Sequence, residues 1–352
     1  MLKIKLGCIL ILSLFIFTNG FAEDIQESIL LYPASIDGKY GYIDNTGQIV
    51  IKPQFSSARY FSEGLAAVSF GEWGLGKWGF IDKTGKLVID SQFDQVGNFS
   101  EGLAAVLFGE WDEGKWGFID KTGKLVIDSQ FDYAGDFSEG LALVGEGWIE
   151  YMDYGFIDKT GKLIIETKYP GAGSFSEGLA PVKIGGKYGY IDKNGKMIIR
   201  SQFVSARGFK DGIAAVCLSG KISDFDGTLY DTKWGYINKQ GKLITKTTYD
   251  EAYGFNDGLA RVKIDDYFGF INKQGQYVVE PQYEEANDFS EGLAAVRVGY
   301  GWGYIDKTGK MVIEAEFDEV SDFVNGLAQV RINGITKYID KTGKIVWSPQ
   351  EE

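Results

Sequence analysis

Lys115-Trp116-Gly117-Phe118-Ile119-Asp120-Lys121-Thr122-Gly123-Lys124-Leu125-Val126-Ile127 decides how this chain is read. Its first six residues alternate, so Trp116 and Phe118 share one face while Gly117 and Ile119 share the other, as in a strand. Leu125-Val126-Ile127 is a second short run rich in β-branched residues. Between them, Asp120 to Lys124 has the chemistry of a hairpin: a type I turn, a left-handed Gly123 as a G1 bulge, and an Asp able to bond the turn backbone. Upstream, Leu103-Ala104-Ala105-Val106-Leu107-Phe108 is a third apolar run, opened by Glu101-Gly102. Together these predict a three-stranded antiparallel meander.

The same passage recurs along the chain. Its aromatic-Gly-aromatic-Ile signature places glycine at 41, 79, 117, 155, 189, 235, 269 and 303, and a ninth copy carries Lys337 at that position. Phe-Ser-Glu-Gly-Leu-Ala begins at Phe61, Phe99, Phe137, Phe175 and Phe289, with variants at Phe209, Phe255 and Phe323. Residues 71–108 and 109–146 differ at only 8 of 38 positions, which points to duplication. No stretch after the N-terminal segment shows a 3.6-residue apolar period over ten residues, so the expected class is all-β. A repeat of this length cannot enclose a core alone, and stability must come from neighbour interfaces. The recurrent Phe of FSEGLA is expected to plug into the next repeat, contributing at most roughly 4–6 kcal/mol per ring. Gly117 is expected to leave bare backbone for a neighbouring ring to cover.

These motifs closely resemble the bacterial WG-repeat family, also called KWG repeats. The decisive residues are Lys77-Trp78-Gly79-Phe80-Ile81-Asp82-Lys83-Thr84-Gly85-Lys86 with Phe99-Ser100-Glu101-Gly102-Leu103-Ala104. The likeness covers residues 31–347. It implies an exported or surface-associated repeat protein and brings no catalytic motif. Tyr40, Tyr154, Tyr188 and Phe268 stand where the family has Trp, and the ninth copy loses its glycine.

The architecture expected is a tandem array of about nine three-stranded antiparallel β-meanders. An open, curved, solenoid-like stack is favoured over a β-propeller-like ring, because four-stranded propeller blades usually need 40–45 residues and rings usually hold four to eight blades. Residues 1–22 read as a signal peptide: Lys3 and Lys5, an apolar run to Phe17, then Gly20 and Ala22 before Glu23-Asp24. Retention as an anchor is the alternative, although the run is shorter than a spanning helix needs. Residues 23–30 form a short leader and 348–352 a tail. Cleavage would remove two Lys and no acid, taking the net charge from −13 to −15. The expected location is exported: periplasmic, cell-surface or extracellular, with no stable membrane insertion after cleavage.

Composition narrows the function. The 352 residues include no His and two Cys, which excludes His-dependent triads, His-ligated metal centres and a four-thiolate zinc site. An acidic balance of 49 Asp+Glu against 36 Lys+Arg argues against nucleic acid as partner. Cys217, alone after signal removal, is read as a small hydrophobe in a strand, with a reactive or intermolecular thiol as the alternative. Asp82, Asp120, Asp158, Asp192 and Asp306 recur one per turn, which reads as capping rather than Ca²⁺ binding. Asp224-Phe225-Asp226-Gly227 is the nearest thing to a local Ca²⁺ loop. A glycosidase pair should break the repeat pattern, whereas most acids here obey it and the sequence offers no way to choose two. We therefore expect no metal, no cofactor and no enzyme activity.

Length varies at one corner of the repeat, the connection from first to second strand. It is tight at Gly185-Gly186, longer at 71–76 and 146–153, and longest from Ser219 to Thr232. Insertions at one corner of an array project from one edge, often the binding face. The candidate binding residues there are Trp73, Trp111, Trp148 and Tyr230, beside Glu72, Glu110, Glu150, Asp224 and Asp226. The expectation is an exported interaction or scaffold module that binds a protein partner along this edge. The alternatives are a cell-surface or cell-wall glycan stacked on the rings, or rings that merely pack over their own hairpins.

Overall fold

A computed structural model describes residues 30–71, 76–109, 113–148, 151–223, 228–245 and 248–349. The signal peptide, most of the leader and residues 350–352 of the tail lie outside the described residues. Every element named along the chain is a strand, and no α-helix occurs among the described residues. The strands form nine small antiparallel sheets in chain order. The chain divides into two compact units, Met1–Ser91 and Gln92–Glu352. The first holds Tyr32–Ile36, Lys39–Ile43 and Ile49–Phe55 as one sheet, followed by the first strands of the next. Its core gathers Leu31, Tyr42, Ile51, Phe55, Ala66, Val68 and Ile81.

In the second unit the third repeat shows the pattern. Leu103–Phe108, Lys115–Asp120 and Leu125–Phe131 pair as the expected meander. A fourth strand was not expected. Gln95–Val96, from the preceding connection, pairs with the free edge of the first strand through Gln95↔Leu107 and Val96↔Val106. The hairpin that joins them is the FSEG motif itself, with Ser100 and Leu103 exchanging backbone hydrogen bonds of 2.9 and 3.2 Å. Glu101 and Gly102 occupy the left-handed region at φ 53° and 89°, the signature of a two-residue type I′ turn. The sheet is thus a four-stranded blade. This corrects the expected three-stranded rung of an open, solenoid-like stack: the sheets match the propeller-like alternative, because the FSEG connection is itself part of the sheet.

The glycine of the aromatic-Gly-aromatic signature has a different cause from the one expected. Trp116 pairs with Phe131 and Phe118 with Ile127, so the third strand carries a bulge opposite Gly117. A Cβ on Gly117 would lie 2.6 Å from the Ile127 carbonyl oxygen and 2.8 Å from the Ser129 nitrogen. Partner backbone, not an aromatic ring, fills the space. The bulge also interrupts the outer edge of this sheet, which discourages further strand addition.

Cores lie between successive sheets. Phe118, Ile127 and Phe131 of the third repeat pack with Phe137, Ala142, Val144 and Ile157 of the fourth. The FSEG phenylalanine is an inter-repeat plug, but its partner is the ring after glycine in the preceding sheet. The pairs Phe118–Phe137, Phe156–Phe175, Tyr190–Phe209, Tyr236–Phe255, Phe270–Phe289 and Tyr304–Phe323 meet edge-on or tilted at 4.7–5.3 Å. Where that ring is Tyr, its hydroxyl donates to the carbonyl seventeen residues on, as Tyr190 does to Arg207 at 2.7 Å.

Polar links repeat at the same interval. The Glu101 carboxylate accepts the Gly140 N–H of the next FSEG turn at 3.0 Å and holds Lys159 of the next hairpin at 3.1 Å. Glu139 does the same with Gly178 and Lys193, and Glu291 with Gly326 and Lys341. Burial alone would raise the Glu139 carboxyl; the Gly178 N–H and Lys193 overcome it and hold it below its ordinary range.

Candidate functional site

The acid of each Asp-Lys-Thr-Gly turn is committed to its own hairpin. Asp120 Oδ1 accepts the Thr122 N–H at 2.9 Å, its hydroxyl at 2.6 Å and the Lys124 N–H at 3.1 Å. The Thr122 hydroxyl, ahead of these backbone donors, keeps the carboxyl below its usual range. Asp82, Asp158 and Asp306 repeat the arrangement, and Asp192 uses the N–H groups of Asn194 and Lys196. Turn capping is what these residues do. Among the described residues no group of three His, Cys, Asp or Glu side chains could hold a metal ion. Cys217 is buried in its strand, its thiol pushed up by burial and donating to the Ser219 carbonyl at 3.1 Å.

Of the edge residues singled out above, Glu72, Trp73, Glu110, Trp111, Glu150, Asp224 and Asp226 lie outside the described residues. Trp148 and Tyr230 are described, and both rings face solvent, with 79% and 49% of their surface exposed. In the fourth repeat Met152, not Trp148, folds back over the hairpin: a Cβ on Gly145 would meet its sulfur at 2.5 Å. Trp148 is left outside, with its carbonyl accepting the Tyr151 N–H at 2.7 Å. Sequence reasoning passed over two further rings at this corner, Tyr151 and Tyr300, which are more exposed than Trp148. Tyr300 follows Gly299 in the turn joining the strands Leu293–Val298 and Gly301–Asp306, and that position was its signal.

The most developed feature of this edge belongs to the sixth repeat. Its first two strands, Ile213–Ile222 and Leu229–Asn238, run ten residues each and form an arm where the fifth and eighth repeats turn tightly. The regular third strand is missing here among the described residues; Trp234↔Tyr249 and Ile237↔Leu243 are isolated bridges. Thr245 folds inward here and accepts the Tyr236 N–H at 3.3 Å. Behind it, Tyr249 is fully buried with no hydrogen-bond partner for its hydroxyl among the described residues, and burial pushes its pKa up to about 12.

Between this arm and the seventh sheet lies a cleft of about 600 Å³. Leu229, Tyr230, Asp231 and Trp234 form the arm's wall, and Asp250, Glu251, Lys263 and the Asp265-Asp266 turn form the opposite one. Arg207 sits at its base, its guanidinium 5.3 Å from the Trp234 ring and 4.6 Å from that of Tyr253. Lys221 stands 6.0 Å from the Tyr230 ring and pairs with Asp231 at 2.9 Å. Asp250 pairs with Lys233 at 2.6 Å, which outweighs burial and holds the carboxyl low. Asp250 also accepts the Asp265 N–H at 3.0 Å, fixing the opposite turn. The cleft can therefore offer ring faces and carboxylates together.

Comparison with known proteins fits the repeat geometry. A family described as WG containing repeat matches residues 40–72, 78–110, 116–147, 154–188, 188–221, 234–267, 268–301 and 302–334. The chain belongs to the WG-repeat family. Among curated proteins, none matches it. Solved structures similar to this WG-repeat protein include Hsv2 of Kluyveromyces marxianus, at 10% identity and a TM-score of 0.42, covering 74% of this chain and 96% of that one. Hsv2p of Kluyveromyces lactis follows at 10% and 0.39, covering 71% and 92%. The tricorn protease matches at 12% and 0.25, covering 91% of this chain and 34% of its own.

Proposed function

We propose that this WG-repeat protein is an exported, non-catalytic interaction module that binds a protein partner along the edge formed by its first-to-second-strand connections. One observation carries the reading: large exposed rings gather at that corner. Trp148, Tyr151, Tyr230 and Tyr300 stand there in solvent, whereas the FSEG rings and their partners are consumed between sheets. Exposed aromatics next to polar groups are the usual energetic anchors of protein interfaces.

The test is capture of partners from the source organism's envelope and medium by the intact chain and by a variant with Trp148, Tyr151, Tyr230 and Tyr300 all changed to Ala. With melting unchanged, the reading requires the variant to lose its partner. Retained capture would sink it. Salt-insensitive binding of a neutral saccharide that quenches Trp fluorescence would favour the glycan alternative. Export is tested separately by finding the N-terminus of the mature protein after Ala22.

A further inference from the structure

We infer that the cleft between the sixth-repeat arm and the seventh sheet receives a cationic side chain, the guanidinium or ammonium of a basic segment of the partner. This rests on the edge-binding reading and names the chemistry of one of its sites. The cleft is open to solvent and has a volume of about 600 Å³, ample for a long side chain and part of the backbone that carries it. One wall presents the half-exposed Tyr230 ring, the kind of face a cation seeks. The arrangement already occurs within the protein, with Lys221 beside Tyr230 and Arg207 against Trp234 and Tyr253.

The sign of the guest follows from how the cleft's own charges are answered. An anion would need Arg207 or Lys263 free. Arg207 is held by two rings and donates its Nε–H to the Ala252 carbonyl at 3.0 Å. Lys263 is shared between Glu251 at 3.4 Å and Asp266 at 3.7 Å. The negative side is in surplus. No hydrogen bond or ion pair engages the Asp265 carboxylate among the described residues, although Lys233 feels its charge, and Asp266, almost wholly in solvent, is joined only loosely to Lys263 at 3.7 Å. A guest cation entering over Tyr230 meets these two carboxylates at the opposite lip. Strand addition is the less suitable mode, because the arm's outer strand is bulged beside Asp231, at φ 51°.

The experiment uses the full chain and fluorescein-labelled hexa-arginine, hexaglycine and hexaglutamate, read by fluorescence anisotropy. Asp265→Asn with Asp266→Asn removes two charges while keeping side chains that tolerate the left-handed turn. Glu314→Gln with Glu316→Gln makes the same charge change on the exposed strand Met311–Phe317, away from the cleft. We expect hexa-arginine to bind, to weaken at least tenfold in D265N/D266N and in Tyr230→Ala, and to change less than twofold in the control pair. Equal losses in both charge variants would reduce the binding to general attraction by an acidic protein and overturn the inference. So would equal binding of hexaglycine or hexaglutamate, or no effect of D265N/D266N. If hexa-arginine fails while the edge variants still lose the partner, only the cationic assignment falls. If the partner is captured regardless of edge rings, the edge reading falls on its own evidence.

Discussion

Two glycines of the fifth sheet's surroundings have opposite reasons to be glycine, and Gly→Ala at each separates them. Gly189 lies in the second strand opposite the third-strand bulge. A Cβ there would stand 2.5 Å from the Ile199 carbonyl oxygen, 2.7 Å from the Ser201 nitrogen and 2.8 Å from the Arg200 carbonyl carbon. All three are backbone, so no rotamer can relieve the contact. The strand Met197–Phe203 must retreat by most of an ångström, weakening the pairings Tyr188↔Phe203 and Tyr190↔Ile199. Overpacking costs about 1–3 kcal/mol, and each weakened backbone hydrogen bond about 1 kcal/mol. G189A should therefore lose about 3 kcal/mol. Gly178, in the FSEG turn at φ 84°, has nothing within 4 Å of the added carbon, so only the left-handed backbone is penalised. G178A should lose about 1 kcal/mol, and Gly178→Asn less, since Asn accepts that region. Urea unfolding supplies the difference, with hydrogen exchange locating it because a repeat array can unfold in parts. Equal losses at the two positions, or a larger one at Gly178, would refute the assignment of Gly189 to backbone contact.

Three further outcomes follow from the packing and the charges. Phe175→Ala should cost about 3–5 kcal/mol, since this buried ring joins two sheets through Phe156; Phe175→Leu should cost much less in the same urea experiment. Glu139 and Glu291 have folded pKa values below the ordinary 4.5, so their contribution is present above that value and is lost as pH falls through the lower folded one. Glu139→Gln with Glu291→Gln should therefore flatten the fall in melting temperature below about pH 4.5, and an unchanged acid limb would count against the ladder. Cys217, buried and with its thiol pushed up, should resist maleimide in the native protein and react only on unfolding, as mass spectrometry would record.

Much of the fold was legible because its signals are local. The Asp120–Lys124 turn, the alternation around Gly117 and the inter-repeat role of Phe137 all follow from residue chemistry at fixed offsets. The fourth strand was missed because Gln95–Val96 is two residues long and has no periodicity of its own. The clue lay in the variants FKDGIA, FNDGLA and FVNGLA, where Asp-Gly and Asn-Gly are familiar type I′ turns; Glu101-Gly102 conceals the same turn behind a residue rarely placed there. The inter-repeat role of Glu101 was hidden for a related reason. Its partners Gly140 and Lys159 are 39 and 58 residues away, and only the stacking of sheets brings them together. At the candidate site, Tyr230 was visible in the long insertion, but Asp265 and Asp266 belong to another repeat's turn and join it only across the cleft.

The ninth copy carries Lys337 where the other eight carry the signature glycine. Lys337 occupies the glycine position between Thr336 and Tyr338, and the pairings Tyr338↔Trp347 and Ile339↔Ile345 reproduce the start of the usual register. In the first, third, fourth, fifth, seventh and eighth copies the bulge lies beyond that point, between the pairings equivalent to Phe118↔Ile127 and Trp116↔Phe131. The strand facing this copy runs from Ile345 to Trp347. Seven of the eight signature glycines before Lys337 mark where a neighbouring backbone comes too close for a side chain, and the exception is Gly235, where an added carbon would meet the side chains of Leu243, Leu218 and Thr245 instead.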